Sequence, residues 1–191
     1  MPLITFCQGK PSDSKFIIAP NESRIVWKGT QALGGGHEGT IQLSSGSLDF
    51  SPDGKLKGGS FIVNMKSIVN TDIRPERSGK ELVEHLNSED FFSVYRYPTA
   101  AFVITRIMPA NKPNVYTITG NFTLKGFTNT IMFPATVVIN QNQAKAQAEI
   151  SIDRTRWGIT YKAYNFLAQV KDEMISNDIR LSLNLVFNII K

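Results

Sequence analysis

Residues 180–190 read RLSLNLVFNII, and their side chains alternate in character. Leu181, Leu183, Leu185, Phe187 and Ile189 fall on one face, opposite Ser182, Asn184 and Asn188. Successive side chains of a pleated strand point to opposite faces, so a period of two marks a strand with one dry and one wet side. The same rhythm recurs upstream. In YTITGNFTL, residues 116–124, Tyr116, Ile118, Phe122 and Leu124 oppose Thr117, Thr119, Asn121 and Thr123. In AQAEISID, residues 146–153, Ala146, Ala148, Ile150 and Ile152 oppose Gln147, Glu149, Ser151 and Asp153. This inner face opens with two alanines, which either interdigitate with large neighbours or leave room for a ligand.

Working outward, further strands are expected over residues 23–29, 39–43, 46–50, 59–68, 99–107 and 130–140. The connections are short: SPDGK at 51–55 is a hairpin signal, and ANKPN at 110–114 and NQNQ at 140–143 read as loops. One segment breaks the rhythm. PERSGKELVEHL, residues 75–86, sets Leu82, Val83 and Leu86 at helical spacing, with a proline where a first turn tolerates it. The expectation is an all-β antiparallel chain with one helix, lying on a sheet or across a barrel end. Residues 1–20 are expected to be a flexible segment and 21–191 one domain.

The chain has 191 residues, with 21 Lys and Arg against 16 Asp and Glu, a formal charge of +5. The sign favours an anionic partner, but the cations are dispersed and accompany no nucleic-acid-binding motif, so no nucleic-acid partner is expected. The single cysteine, Cys7, excludes an internal disulfide and a multi-cysteine metal site. Phe6 before it argues against lipid anchoring there. No apolar run reaches the roughly 18 residues of a membrane-spanning helix, and PLITFC is too short for a signal peptide.

GGGHEG at 34–39 matches G-x-G-x-x-G through Gly34, Gly36 and Gly39. A dinucleotide fingerprint must open a helix, whereas TIQLSSGSLDF follows with strand character. The kinase reading fails too, because H-R-D and D-F-G elements are missing. The glycines therefore read as a backbone device, with His37 and Glu38 at a rim. His37 and His85 lie 48 residues apart and lack metal-ligand spacing, so no metal or cofactor is expected. No nucleophile elbow is present, and no catalytic residue is expected.

EHLNSEDFFSVYRYPTAAFVI, residues 84–104, gathers Phe91, Phe92, Tyr95, Tyr97 and Phe102 just after the helix. These aromatics read either as a plug sealing a barrel end or as the wall of a pocket.

At this stretch the chain resembles the YceI-like family, polyisoprenoid-binding proteins with a lipocalin-like barrel. The motif H-L-x-S-x-D-F-F is met by His85, Leu86, Ser88, Asp90, Phe91 and Phe92, followed by Tyr97, Pro98 and Phe102. Further similarity lies at Gly39, Ile41 and Gly46 to Leu48, at Gly120 to Gly126 with Leu124 displaced, and at Arg154, Trp157, Gly158 and Ile159. It extends over roughly residues 23–190. The family's early histidines are replaced here by NESRIVWKGTQAL at 21–33, so no role is carried over from them.

The resemblance implies an antiparallel lipocalin-like β-barrel of about eight strands, with the helix near the barrel end. It implies binding or transport of a long-chain isoprenoid or related amphiphilic lipid in the interior, without catalysis, in an exported, periplasmic bacterial protein. Phe91, Phe92, Tyr97, Phe102, Phe122 and Trp157 are the expected ligand-binding residues. Membrane-surface contact and a homodimer stay open. The alternatives are a structural or stress-related barrel without a ligand, and an enzyme acting on a lipid.

Overall fold

The computed structural model describes residues 13–31, 34–140, 142–163 and 174–190. Its strands are β1 (Ser14–Ile18), β2 (Arg24–Gln31), β3 (Gly36–Phe50), β4 (Leu56–Asn70), β5 (Thr99–Pro109), β6 (Val115–Leu124), β7 (Phe127–Ile139), β8 (Gln143–Asp153) and β9 (Ile175–Ile189). The helix α1 (Glu76–Asn87) joins β4 to β5. From β2 to β9 each strand pairs antiparallel with the next, and β9 returns to pair with β2. The result is a closed antiparallel barrel of eight positions, the number expected, with no free sheet edge to protect.

One position is shared. β2 pairs with residues 36–41 of β3 and 175–184 of β9, while β1 lies farther along the same gap, against Ser47–Phe50 and Phe187–Ile189. A 3-10 turn at Pro20–Glu22 separates the two. Within the segment 1–20, expected to be flexible, Ser14–Ile18 form a strand: SKFII turns Phe16 and Ile18 inward, leaving them 1% and 6% exposed. Burying these two side chains holds β1 in the sheet. Cys7 lies outside the described residues.

The two strands expected at 39–43 and 46–50 form one, β3. Its register with β4 shifts between Leu43 and Ser45, and the inward face switches there from Ile41 and Leu43 to Leu48 and Phe50. An extra residue in one strand reverses the parity of everything beyond it, which makes one bulged strand read as two.

The glycines of GGGHEG turn the chain between β2 and β3. Gly34, Gly35 and Gly36 have φ of +105°, +81° and +141°, a region that side chains other than glycine rarely adopt. At Gly36 an added Cβ would also meet the Gly29 carbonyl oxygen at 2.3 Å. Gly36→Ala should cost about 1–3 kcal/mol and lower the thermal midpoint by several degrees in calorimetry. Unchanged stability with lost ligand binding would instead make this loop part of a binding site.

The described residues that join β2 to β3, β4 through α1 to β5, β6 to β7 and β8 to β9 lie at one end of the barrel, called here the helix end. The far end is closed by aromatic packing. Phe16, Phe50 and Phe187 are at most 1% exposed. The rings of Phe16 and Phe50 meet edge-on at 5.2 Å, and Phe61 meets Phe187 at 6.0 Å.

Candidate ligand-binding cavity

Between the packed far end and the helix end the strands enclose an apolar cavity of about 270 Å³, near the lower bound of the roughly 300–1,000 Å³ typical of small-molecule sites. Its wall includes Trp27 on β2, Phe61 and Val63 on β4, Phe102 on β5, and Leu181 and Leu183 on β9. These side chains point inward yet stay only half-buried, because the cavity leaves part of their surface uncovered. The alanines of β8 leave space: Ala146 and Ala148 both line the cavity, and Ala148 pairs with Ala135 of β7, which lines it too. β8 stands four positions round the ring from β4, so these small residues face Phe61 and Val63 across the interior. So apolar a wall offers water few partners and suits an apolar occupant.

The H-L-x-S-x-D-F-F stretch builds the helix-end wall. Ser88 stops α1, its backbone N–H and its hydroxyl both donating to the His85 carbonyl, at 3.1 and 2.8 Å. The chain then folds back, with the N–H of Phe92 bonded to the Leu86 carbonyl at 3.1 Å. Leu82 and Leu86 from the helix and Phe91 and Phe92 from the turn thereby reach the cavity. His85 Nε2 lies 3.2 Å from Asp90 Oδ2, and its ring meets Phe91 and Tyr161 edge-on at 5.1 and 4.8 Å. The motif is thus a helix stop that aims two phenyl rings inward.

Of the polar residues lining the cavity, Thr30, Gln31, His37, Arg154 and Ser176 lie toward the helix end, while Gln147 lies on β8. His37 Nδ1 lies 3.4 Å from Asp72 Oδ2, tying the β2–β3 turn to the start of the helix connection. Burial would raise the Asp72 carboxyl, but hydrogen bonds from Asn70 and the backbone, with His37 nearby, hold it below its ordinary value. Arg154 is 1% exposed. Its guanidinium donates to the carbonyls of Ile159, Ile175 and Ser176 at 2.9, 3.2 and 3.1 Å. Among the described residues, no three His, Cys, Asp or Glu side chains are grouped to hold a metal ion.

Of the six expected ligand-binding residues, Phe91, Phe92, Phe102 and Phe122 line the cavity, and Tyr97 and Trp157 do not. Tyr97 lies over the β6–β7 turn, its ring 2.9 Å from where a Cβ on Gly126 would sit. Trp157 is fully buried behind Phe122, with rings 5.6 Å apart and its indole N–H donating to the Phe122 carbonyl at 3.0 Å. It follows β8 in a 3-10 turn, where strand alternation no longer sets its direction. Among the wall residues outside the six are Trp27, which alternation marks because it follows Ile25 on the inner face of β2, and Arg154, which stands two residues after Ile152 at the start of the 3-10 turn.

The fold has known counterparts. BcnA of Burkholderia cenocepacia is 20% identical with a TM-score of 0.70, over 88% of this chain and 98% of that one. A polyisoprenoid-binding domain from Saccharophagus degradans, implicated in plant cell wall breakdown, is 13% identical with a TM-score of 0.62, over 94% and 99%. The YceI protein of Campylobacter jejuni is 18% identical with a TM-score of 0.58, over 75% and 80%. At these identities the likeness is one of fold. No curated protein matches the chain in sequence. The model of the YceI-like domain matches residues 16–187, from Phe16 on β1 to Phe187 on β9, both in the far-end plug, and the chain belongs to that family.

Proposed function

We propose that the barrel binds the apolar chain of an isoprenoid or related amphiphilic lipid, and holds or carries it without chemical change. The observation that carries this reading is the cavity itself, about 270 Å³ of apolar space inside a closed barrel. Membership of the YceI-like family supports it, as does the likeness in fold to a domain described as polyisoprenoid-binding. Phe91, Phe92, Phe102 and Phe122 contact the chain, which enters at the helix end because Phe16, Phe50 and Phe187 close the other. Tyr97 and Trp157 support the wall from behind rather than touching the ligand.

The energetics need no elaborate recognition. Burying a five-carbon unit contributes up to about 4 kcal/mol at about 0.8 per carbon, and micromolar affinity needs about 8 kcal/mol. A few units suffice after ordering costs. A protein with this role works where lipids must cross water, so a periplasmic or otherwise exported setting belongs to the same proposal.

Native mass spectrometry and solvent extraction of the purified protein should find a co-purifying lipid, and an added prenol should change the fluorescence of Trp27 on the cavity wall. Absence of any lipid, together with unchanged fluorescence, would remove the basis of this reading.

A further inference from the structure

The inner face of β8 runs Ala146, Ala148, Ile150 and Ile152, and the next place in that alternation, at the helix end, is Arg154. A cation is thus buried beside an apolar cavity. Three of its five N–H donors are used by the carbonyls of Ile159, Ile175 and Ser176. One face of the guanidinium is covered by the Phe91 ring at 5.7 Å. Among the described residues no carboxylate stands within ion-pair distance of it. The adjacent Asp153 instead accepts from the Thr155 backbone N–H and hydroxyl, at 3.0 and 2.6 Å. Burial pushes the guanidinium below its usual pKa, with Asp153 acting against that shift.

Carbonyl dipoles orient such a group, but among the described residues no opposite charge compensates it, and a buried charge without a partner is costly. Arginine does not lose its proton in a protein. The charge is therefore available to an anion arriving with a ligand, and Gln31 and Ser176 stand on the same part of the cavity surface. Gln31 pairs with Ile175, whose carbonyl Arg154 holds.

We propose that Arg154 seats an acidic head group at the helix end of the cavity, so that the ligand is an amphiphile with an apolar tail and a carboxylate or phosphate. This rests on the lipid-binding reading above and names the class of lipid. The tail lies against Ala146, Ala148 and Phe102, and the head stays where the loops gather.

The test is a titration of the intact protein, followed by Trp fluorescence, with three probes sharing one tail: farnesol, farnesoic acid and farnesyl monophosphate. At least one acid should bind about tenfold or more tightly than farnesol. That preference should persist between about 0.1 and about 0.5 M sodium chloride, because buried pairs are screened far less than surface ones. Arg154→Met should bring the ratio of acid to farnesol affinity down to about one. Since the same guanidinium holds three carbonyls, the wild-type comparison decides the matter where that variant does not fold. Equal binding of all three probes, or a preference that vanishes with salt, overturns the head-group assignment and leaves lipid binding intact. Failure of every probe to bind removes the lipid-binding reading instead.

Discussion

Trp157→Ala should destabilise the barrel by about 3–5 kcal/mol, the range for deleting a large buried aromatic. The indole is 0% exposed, packs edge-on against Phe122 and donates its N–H to the Phe122 carbonyl at 3.0 Å. Truncation opens a void and strands that carbonyl's partner position, so transfer, cavity and hydrogen-bond losses act together. At about 2–4 °C per kcal/mol for a chain of this size, the thermal midpoint should fall by about 10 °C. Because Trp157 is not on the cavity wall, prenol affinity of the folded fraction should change little. A fall of less than about 3 °C, or a large loss of affinity at preserved stability, would contradict this placement.

Filling the cavity should have the opposite signature. Ala146→Phe combined with Ala148→Phe sets two rings into the space facing Phe61 and Val63. Added side chains cost stability where a core is already packed, but here they enter open volume and gain contacts. The double variant should keep its thermal midpoint within a few degrees, while affinity for farnesol falls by about 100-fold or more, about 2.7 kcal/mol. Undiminished affinity in a folded double variant would place the ligand elsewhere on the molecule.

The strands were legible wherever alternation ran unbroken, as in β6, β8 and β9, since one face of each is buried against the interior. Legibility failed where the inward parity changed mid-strand. Ser44, Ser45 and Gly46 look like a break, yet Gly46 lies beneath Phe61, whose ring an added Cβ would meet at 2.7 Å. That neighbour sits on the partner strand and is invisible in local pattern. The shared barrel position of β1 and β2 was hidden for a similar reason: SKFII is too short to announce a strand until the gap between β3 and β9 is known.

The site was legible in the same measure. Phe102 and Phe122 are strand residues whose direction follows from alternation, and Phe91 and Phe92 follow the helix expected over residues 75–86, which the structure shows stopping at Ser88. Tyr97 follows a turn and Trp157 ends a 3-10 turn, where side-chain direction depends on the fold around them. GGGHEG matched a phosphate-binding pattern, but it connects two strands through three positive-φ glycines and opens no helix. Its role is to turn the chain at the rim of the cavity.

Everything proposed for this protein turns on the occupant's place inside the barrel. A crystal structure of the protein grown with farnesol or farnesyl monophosphate tests it directly. Continuous density should run along Ala146, Ala148 and Phe102 toward Arg154, with the far end still closed by Phe16, Phe50 and Phe187. A saturated protein whose interior holds no ligand density, or whose ligand lies on the outer face of the sheet, would contradict the account.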